Sequence, residues 1–293
     1  MKTRREFLKQ AAMITACFGT VRLSPASVLA AEESKKMKLG LVTYQWGMDW
    51  DVPTIIANCE KAGLSGVELR VEHAHNVTPK LSATERKTLA KRFAGSAVKL
   101  VGFGTTCEFH TPDPATLRKH IEEAKEYVLL AKDCGATGIK VRPNALPQEV
   151  EKEKTISQIA RSLSELGRFA AKHKQEIRLE VHGGCAPIPI IKSIIDQVPE
   201  KNVGLCWNCN PQDLLEPGLK ANFASVKKRL SGVIHIRELA STTYPTRDLF
   251  DLLRAENYGG YLIIEEGDSK LSAEERIRRL ELSAQTFAEW QKA

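Results

Sequence analysis

The sequence predicts an α/β fold, a closed (β/α)8 TIM barrel formed by a single domain. After about residue 37, one unit recurs eight times: a short apolar run, a polar or glycine-bearing turn, and a segment with apolar residues at helical spacing. Continuous apolar strands that alternate with helices are typical of a parallel sheet covered on both faces. Eight units fit a closed barrel better than an open doubly wound sheet, which usually has about six strands.

The apolar runs are the predicted strands. In chain order they cover residues 38–44, 65–70, 99–105, 137–143, 176–182, 202–208, 231–238 and 260–266. The clearest helical segment between them opens with Asp113-Pro114, a capping residue followed by a first-turn proline. No glycine-rich dinucleotide fingerprint or P-loop follows a strand, which excludes the simplest nucleotide-binding classes. Since no linker interrupts the repeat, residues 31–293 are predicted to form one domain.

Residues 1–30 predict a twin-arginine export signal. Arg4 and Arg5 precede an apolar run of about 12 residues, and small residues at Val28 and Ala30 offer a cleavage site. Because a membrane-spanning helix needs about 20 apolar residues, we expect no transmembrane segment. Cleavage after Ala30 would release an exported, periplasmic protein.

A second interpretation of the amino terminus stays open. Ile14-Thr15-Ala16-Cys17 resembles a bacterial lipoprotein box, which would leave the protein lipid-anchored through Cys17. The two interpretations differ in the predicted mature amino terminus, Ala31 or Cys17.

Net charge and cysteine content exclude two further classes. The chain carries a formal charge of +7, but five basic residues and one acidic residue lie in the first thirty, which leaves +3 for the remainder. A dispersed charge of this size is a solvated surface, so no nucleic-acid partner is expected. Of the seven cysteines, Cys206 and Cys209 form the one C-x-x-C pair. With no second ligand pair, they are interpreted as buried thiols near a strand end.

Polar side chains end the last four predicted strands, where a (β/α)8 barrel places its active site. They are Glu180, His182, Asn208, His235, Arg237 and Glu265. Because side chains alternate along a strand, Glu180 shares a face with His182, as His235 does with Arg237. Two carboxylates, an imidazole and a carboxamide form a hard, oxygen-rich ligand set suited to Mn²⁺, Mg²⁺, Co²⁺ or Zn²⁺. The competing interpretation is that these charged strand ends pair with neighbouring Arg and Lys.

The motifs LEVHGG, VGLCWN, VIHIRE and GGYLIIEEG follow one another in this order in the second half of the chain. Their order and spacing resemble the sugar phosphate isomerase/epimerase family, whose barrel is xylose isomerase-like, over residues 38–290. The resemblance implies a divalent metal ion held by Glu180, Asn208, His235 and Glu265, with His182 in contact with substrate. The chain departs from the family at Asn208, where aspartate is usual, so the metal site carries one negative charge less.

Further candidates lie at other strand ends. Lys140 and Arg142 share a face of the fourth strand and could hold an anionic or hydroxyl-rich ligand. On the second strand, Glu68 shares a face with Arg70 and Glu72, and it is alternatively a buried partner of a barrel arginine. His73 and His75 are expected in loops. The predicted substrate-binding residues are His182, Lys140, Arg142, Arg237, Trp46 and His110. For Trp46, as for Trp207, packing in the core is the alternative to stacking on a sugar.

The predicted function follows from the carboxylate pair and the resemblance. A metal-dependent sugar isomerase/epimerase would use Glu180 and Glu265 to remove and return a proton beside a carbonyl. Two alternatives remain: a lyase or hydrolase that acts on 3-keto-glycosides by elimination, and a catalytically silent sugar-binding barrel, which Asn208 favours. In each case the partner is a small carbohydrate, and the oligomeric state is left open. Substitution of either glutamate is expected to change stability little.

Overall fold

The structure is a computed structural model that describes residues 36–268 and 270–292. The predicted export signal and Cys17 lie outside the described residues. Within the described residues, eight strands alternate with eight α-helices. The strands are β1 (Lys38–Val42), β2 (Gly66–Arg70), β3 (Lys99–Glu108), β4 (Gly138–Arg142), β5 (Glu176–Glu180), β6 (Val203–Cys206), β7 (Val233–Ile236) and β8 (Tyr261–Ile264).

The helices are α1 (Val52–Lys61), α2 (Ala83–Ala94), α3 (Pro114–Cys134), α4 (Lys152–Lys172), α5 (Ile188–Ile195), α6 (Leu219–Val226), α7 (Thr246–Ala255) and α8 (Ala273–Lys292). The predicted cap of α3 is confirmed, since the Asp113 side chain accepts a hydrogen bond from the backbone N–H of Thr116 at 2.9 Å. That bond satisfies one of the free N–H groups of the first turn. No helix among the described residues combines the length and apolar composition needed to cross a membrane.

All described strand pairings are parallel, and the hydrogen-bonded order is β6-β5-β4-β3-β2-β1-β8-β7. The two ends of this order, β6 and β7, meet at a seam. Backbone hydrogen bonds cross it from Ser231 to the carbonyl of Leu205 and from His235 to the carbonyl of Trp207, each 2.8 Å long. The predicted TIM barrel is thus confirmed as a nearly closed barrel of eight parallel strands.

The barrel has two apolar regions and a polar centre. The apolar faces of the helices pack on outward-facing strand residues such as Leu41 and Ile139, which are fully buried. A smaller cluster contains Val233 and Ile263, each two residues before a predicted site residue and therefore on the inward face of its strand. Above this cluster the interior is filled by charged side chains, so its inward residues differ from the branched apolar layers usual in this fold.

Candidate active site

A cavity of about 220 Å³ opens at the carboxyl ends of the strands. Seven of the residues predicted from the sequence line it: Lys140, Arg142, Glu180, His182, Asn208, Arg237 and Glu265. Tyr44, Arg70 and Asn210 line it as well. Each of these three lies two residues beyond an inward-facing one, Val42, Glu68 or Asn208. Side chains on one face of a strand recur every two residues, and this alternation continues past the strand ends. The residues that line the cavity occupy these inward-facing positions.

His235 lies between the two predicted catalytic carboxylates. Its Nδ1 atom is 3.5 Å from Oε1 of Glu180 and 3.4 Å from Oε2 of Glu265. This nitrogen is buried and makes no hydrogen bond to any described residue. Ligand atoms of the three side chains all lie within 4.8 Å of one another. An unpartnered imidazole nitrogen that faces two carboxylate oxygens is the arrangement expected of a cation site, and the three residues therefore fit a divalent metal ion.

Glu68 orients the histidine from the opposite side. Its Oε1 is 3.2 Å from Nε2 of His235, and both side chains are fully buried. A hydrogen bond donated by Nε2 leaves Nδ1 as the free ligand atom. Burial alone would raise the pKa of Glu68, but His235, Lys140 and Arg178 hold this pKa below its ordinary value. Glu68 is thus an ionised carboxylate that holds the ring in place.

Two glycines of β3 make room for this buried charge. A Cβ atom at Gly104 would lie 2.8 Å from Oε1 of Glu68, and one at Gly102 would lie 2.5 Å from Nη1 of Arg178. The Arg178 guanidinium is 3.9 Å from Oε2 of Glu68, so the predicted partnership of Glu68 with a barrel arginine is confirmed. Larger residues at either position would displace the charged pair.

Lys140 and Asn208 both bond to Glu180. The buried ammonium of Lys140 donates to Oε2 at 2.7 Å, and the Asn208 amide donates to Oε1 at 2.9 Å. Burial raises the pKa of Glu180, but Lys140 and His235 lower it more, so the net shift is downward. Asn208 presents its amide N–H₂ to the carboxylate, which leaves its carbonyl oxygen as the atom that a cation could use.

Burial opposes protonation of His235, but Cys206, Glu265 and Glu68 raise its pKa well above the ordinary value. The opposite shift occurs at His182, where burial lowers the pKa. Nδ1 of His182 lies 3.0 Å from Oδ1 of Asn144, a contact that fixes the ring at the rim of the cavity.

Arginines occupy the rest of the rim. Arg142 forms an ion pair with Glu108 at 2.5 Å. Arg237 donates to the backbone carbonyl of Glu265 at 3.2 Å, and Arg70 donates to the backbone carbonyl of Val71 at 3.0 Å. The competing interpretation of the strand ends, pairing with neighbouring Arg and Lys, therefore applies to Glu180, whereas no Lys or Arg of the described residues forms an ion pair with Glu265.

Trp46 and His110 do not line the cavity in the described part of the chain. Trp46 is 1% exposed and packs in the main core, where Arg276 donates to its backbone carbonyl at 2.9 Å, so the expected stacking on a sugar is not supported. His110 faces Glu108 at 3.6 Å and reaches the cavity only through the Glu108–Arg142 pair.

The two loop histidines His73 and His75 and the two cysteines of the C-x-x-C pair have structural surroundings. His75 is mostly buried, and its Nε2 contacts the backbone carbonyl of Arg70 at 2.8 Å. His73 contacts the carbonyl of Thr43 through Nδ1. Cys206 and Cys209 are buried, and burial raises the pKa of both thiols, as expected for unreactive cysteines.

Fold and site together define a (β/α)8 barrel with a carboxylate–histidine cluster at the carboxyl ends of its strands. The model of the xylose isomerase-like TIM barrel family matches residues 56–285. The chain belongs to that family. No curated protein sequence matches it.

Solved structures resemble the barrel over most of its length. The IolI protein with a bound zinc atom has 18% identity and a TM-score of 0.72, with 86% of this chain and 98% of IolI covered. The 3-keto-D-glucoside 4-epimerase YcjR from E. coli has 16% identity and a TM-score of 0.69 over 85% and 99% of the two chains. A D-psicose 3-epimerase from Clostridium cellulolyticum has 15% identity and a TM-score of 0.70 over 87% and 98%. At these identities the likeness shows the fold.

Proposed function

We propose that this protein is a sugar isomerase or epimerase that removes a proton beside a carbonyl group. The observation that carries the proposal is the pair of carboxylates, Glu180 and Glu265, with the unpartnered Nδ1 of His235 between them at 3.5 and 3.4 Å. Several structural neighbours are named as sugar epimerases, which supports this chemistry. The cavity, at about 220 Å³, is below the roughly 300–1,000 Å³ usual for drug-sized ligands, which favours a single sugar ring.

Glu180, His235 and Glu265 would hold a divalent metal ion, with the carbonyl oxygen of Asn208 as a further ligand. When bound, such an ion polarises a carbonyl oxygen and acidifies the neighbouring C–H bond. His235 supplies Nδ1 because Glu68 holds its other nitrogen. Lys140 places a positive charge beside Glu180, so it weakens cation binding at this site while it stabilises negative charge on a substrate oxygen.

The two carboxylates are not equivalent proton carriers. Both oxygens of Glu180 accept hydrogen bonds, and its pKa is lowered, so its protonated form is disfavoured. No Lys or Arg side chain among the described residues donates to the Glu265 carboxylate, which is 15% exposed. We therefore assign the first proton abstraction to Glu265. Glu180 would have to carry a proton of its own, at the cost of its contacts with Lys140 and Asn208, and would donate that proton to the substrate, while the proton taken up by Glu265 is released to solvent.

Solvent deuterium exchange tests the proposal. Purified protein loaded with Mn²⁺ is incubated in D₂O with free ketoses and with 3-keto-glucosides, and incorporation at the carbon beside the carbonyl is followed by NMR. Glu265→Gln should reduce the exchange rate about 10²- to 10⁴-fold, the usual contribution of a positioned base. Glu289→Gln, an exposed substitution on α8, is the matched control and should leave the rate unchanged. Exchange that survives in Glu265→Gln would contradict the assignment.

The same experiment separates the two alternatives. A lyase would show exchange on 3-keto-glycosides together with release of the leaving group, and the 3-keto-glucoside epimerase among the neighbours makes these compounds a reasonable choice. A silent sugar-binding barrel would bind sugars without exchange in the wild type. Elemental analysis of the purified protein then reports whether it retains a divalent ion.

We further propose that residues 1–30 direct export by the twin-arginine route. The supporting observation is the Arg4-Arg5 pair ahead of the apolar run. Replacement of both arginines by lysine should retain an uncleaved precursor in the cytoplasm, as seen by fractionation and mass spectrometry. A mature amino terminus at Ala31 is expected from the wild type, whereas a lipidated Cys17 would support the lipoprotein interpretation. Unchanged export of the lysine variant would exclude the twin-arginine route.

A further inference from the structure

A second group of metal-ligating side chains lies between β3 and α3, on the outside of the barrel. Cys107 is near the end of β3, and His120 and Glu123 are on α3. Ligand atoms of these three side chains all lie within 4.8 Å of one another. Cys107 is completely buried, whereas the other two residues are partly exposed. The cavity at the mouth of the barrel is lined by other residues, so this group is separate from the candidate active site.

The fold explains why these three residues meet. His120 and Glu123 are three residues apart on α3, and residues at this spacing share one face of a helix. Tyr127 lies on the same face, and its ring packs on Phe103 of β3 with the ring centroids 6.3 Å apart. Cys107 follows Phe103 by four residues and faces α3 as well. The helix and the strand therefore present their ligand atoms to each other.

The two ligand atoms on α3 are weakly engaged. No group of the described residues pairs with the Glu123 carboxylate or donates a hydrogen bond to it, whereas the neighbouring Glu122 pairs with Arg118 at 3.2 Å. Nδ1 of His120 accepts a hydrogen bond from the backbone N–H of Glu108, which at 3.3 Å is long. In the neutral ring Nδ1 therefore carries the lone pair, which is the form that binds a metal. An ion that takes this lone pair replaces one weak contact.

A cleft of about 680 Å³ opens over this group, and His120 and Glu123 line it. Its charged lining residues comprise four carboxylates and two ammonium groups, from Glu72, Glu122, Glu123, Glu126, Lys80 and Lys119. The excess of negative charge favours a cation. The cleft also gives an ion a path from solvent to the buried thiol.

We infer that Cys107, His120 and Glu123 form a second metal site, which takes Zn²⁺ or another thiophilic divalent ion. A thiolate ligand favours zinc over Mg²⁺ and Mn²⁺, and three protein ligands leave one tetrahedral position for water from the cleft. The thiol proton passes to solvent when the ion binds. Tetrahedral zinc holds such ligand atoms about 3.3–3.6 Å apart, so the side chains must approach by about 1 Å. The unpaired, partly exposed Glu123 side chain is free to rotate toward the ion.

A catalytic cysteine is the competing interpretation of a thiol beside a histidine. Burial raises the pKa of Cys107 to about 12, whereas a nucleophilic cysteine has a lowered pKa. The surroundings of the thiol thus favour a metal ligand over a nucleophile.

Titration with Co²⁺ in a buffer free of thiols tests the inference. Thiolate-bound Co²⁺ has an intense charge-transfer band in the near ultraviolet, which an ion bound by carboxylates and imidazole lacks. Wild-type protein should develop this band, and Cys107→Ser should not. His120→Gln and Glu123→Gln should weaken binding of the sulfur-bound ion at least about 100-fold, since loss of an outer partner alone costs about 10- to 100-fold. Glu126→Gln, an exposed carboxylate in the same cleft, is the matched control and should titrate as the wild type does.

Cys206 provides the second control, because its thiol lies beside His235 in the candidate active site. Cys206→Ser should retain the band. Loss of the band in this variant, or its absence in a folded wild type, would overturn the inference. If Cys107→Ser does not fold, the two α3 variants decide, and unchanged titrations in both would also overturn it. None of these measurements needs turnover, so failure of the proton-transfer proposal would leave them unaffected.

Discussion

Replacement of Asn208 by aspartate tests the electrostatics of the site directly. In the wild type the Asn208 amide donates to Oε1 of Glu180 over 2.9 Å, and both side chains are buried. Asn208→Asp removes a hydrogen bond to a charged group, a loss of about 1.5–3 kcal/mol. It also places a second carboxylate against the first. At 2.9 Å and an effective dielectric constant near 20, the repulsion is about 6 kcal/mol as an upper bound.

The expected result is a protein that depends on cations for stability. Without divalent ions at pH 8, Asn208→Asp should be several kcal/mol less stable than the wild type, because rotation of the new side chain relieves part of the repulsion. Mn²⁺ should recover most of that loss, and the variant should bind the ion more tightly, since a full negative charge replaces an amide dipole. The repulsion raises the pKa of the new carboxyl in the folded state, so the deficit should shrink as the pH falls toward 4.

Urea denaturation with and without Mn²⁺, at pH 4.5 and pH 8, measures each of these effects. Asn58→Asp, on α1 away from the cavity, adds the same charge and is the control. Equal stability of the wild type and Asn208→Asp under all four conditions would refute the reasoning. An unchanged Mn²⁺ affinity would show that position 208 does not contact the ion.

Three further substitutions probe the buried charges. Glu68→Gln keeps the shape of the side chain that holds the ligand histidine and should weaken Mn²⁺ binding about 10- to 100-fold in a chelator competition. Burial raises the pKa of Asp213 to about 7, above its unfolded value near 4, so its stabilising protonated form is lost as the pH rises through 7. Asp213→Asn should therefore match the wild type in urea stability near pH 4 and exceed it by on the order of 4 kcal/mol at pH 8. Glu180→Gln should cost about 3–5 kcal/mol in the same assay, because it leaves the Lys140 ammonium buried without its counter-ion. A stability equal to that of the wild type for Asp213→Asn at pH 8 or for Glu180→Gln, or an unchanged ion affinity for Glu68→Gln, would contradict these estimates.

The alternation of strands and helices made the barrel predictable from sequence. All eight strands lie inside or overlap the predicted runs, because apolar strands buried on both faces form continuous runs. The one clear difference in length is β3, which extends to Glu108, three residues beyond the predicted run. Its register shifts against β2 and β4, and a local pattern of side chains carries no signal for such a shift.

The candidate site was predictable where one strand determines which side chains share a face. The two-residue period alone predicts that Glu180 shares a face with His182, and that His235 shares a face with Arg237. Contacts between strands were not accessible in this way. The pairing of Lys140 with Glu180 depends on the register of β4 against β5, and it replaces the expectation of a small effect of Glu180 on stability with that of a large one. Trp46 follows β1, two residues after Tyr44, which lines the cavity. The chain turns after β1, and Trp46 is buried in the core instead.

The seam between β6 and β7 has a consequence for how the barrel moves. One of its backbone hydrogen bonds is donated by the amide of His235 itself, to the carbonyl of Trp207, and Asn208 is the next residue. A brief opening of the seam would separate the imidazole on β7 from Glu180 on β5. The thermal motion that opens the barrel would therefore also change the geometry of the cavity. Any ligand held jointly by Glu180 and His235 bridges the seam and opposes that motion. Amide hydrogen exchange at His235 should then be slower in the loaded protein, and its rate becomes a measure of occupancy that needs no substrate.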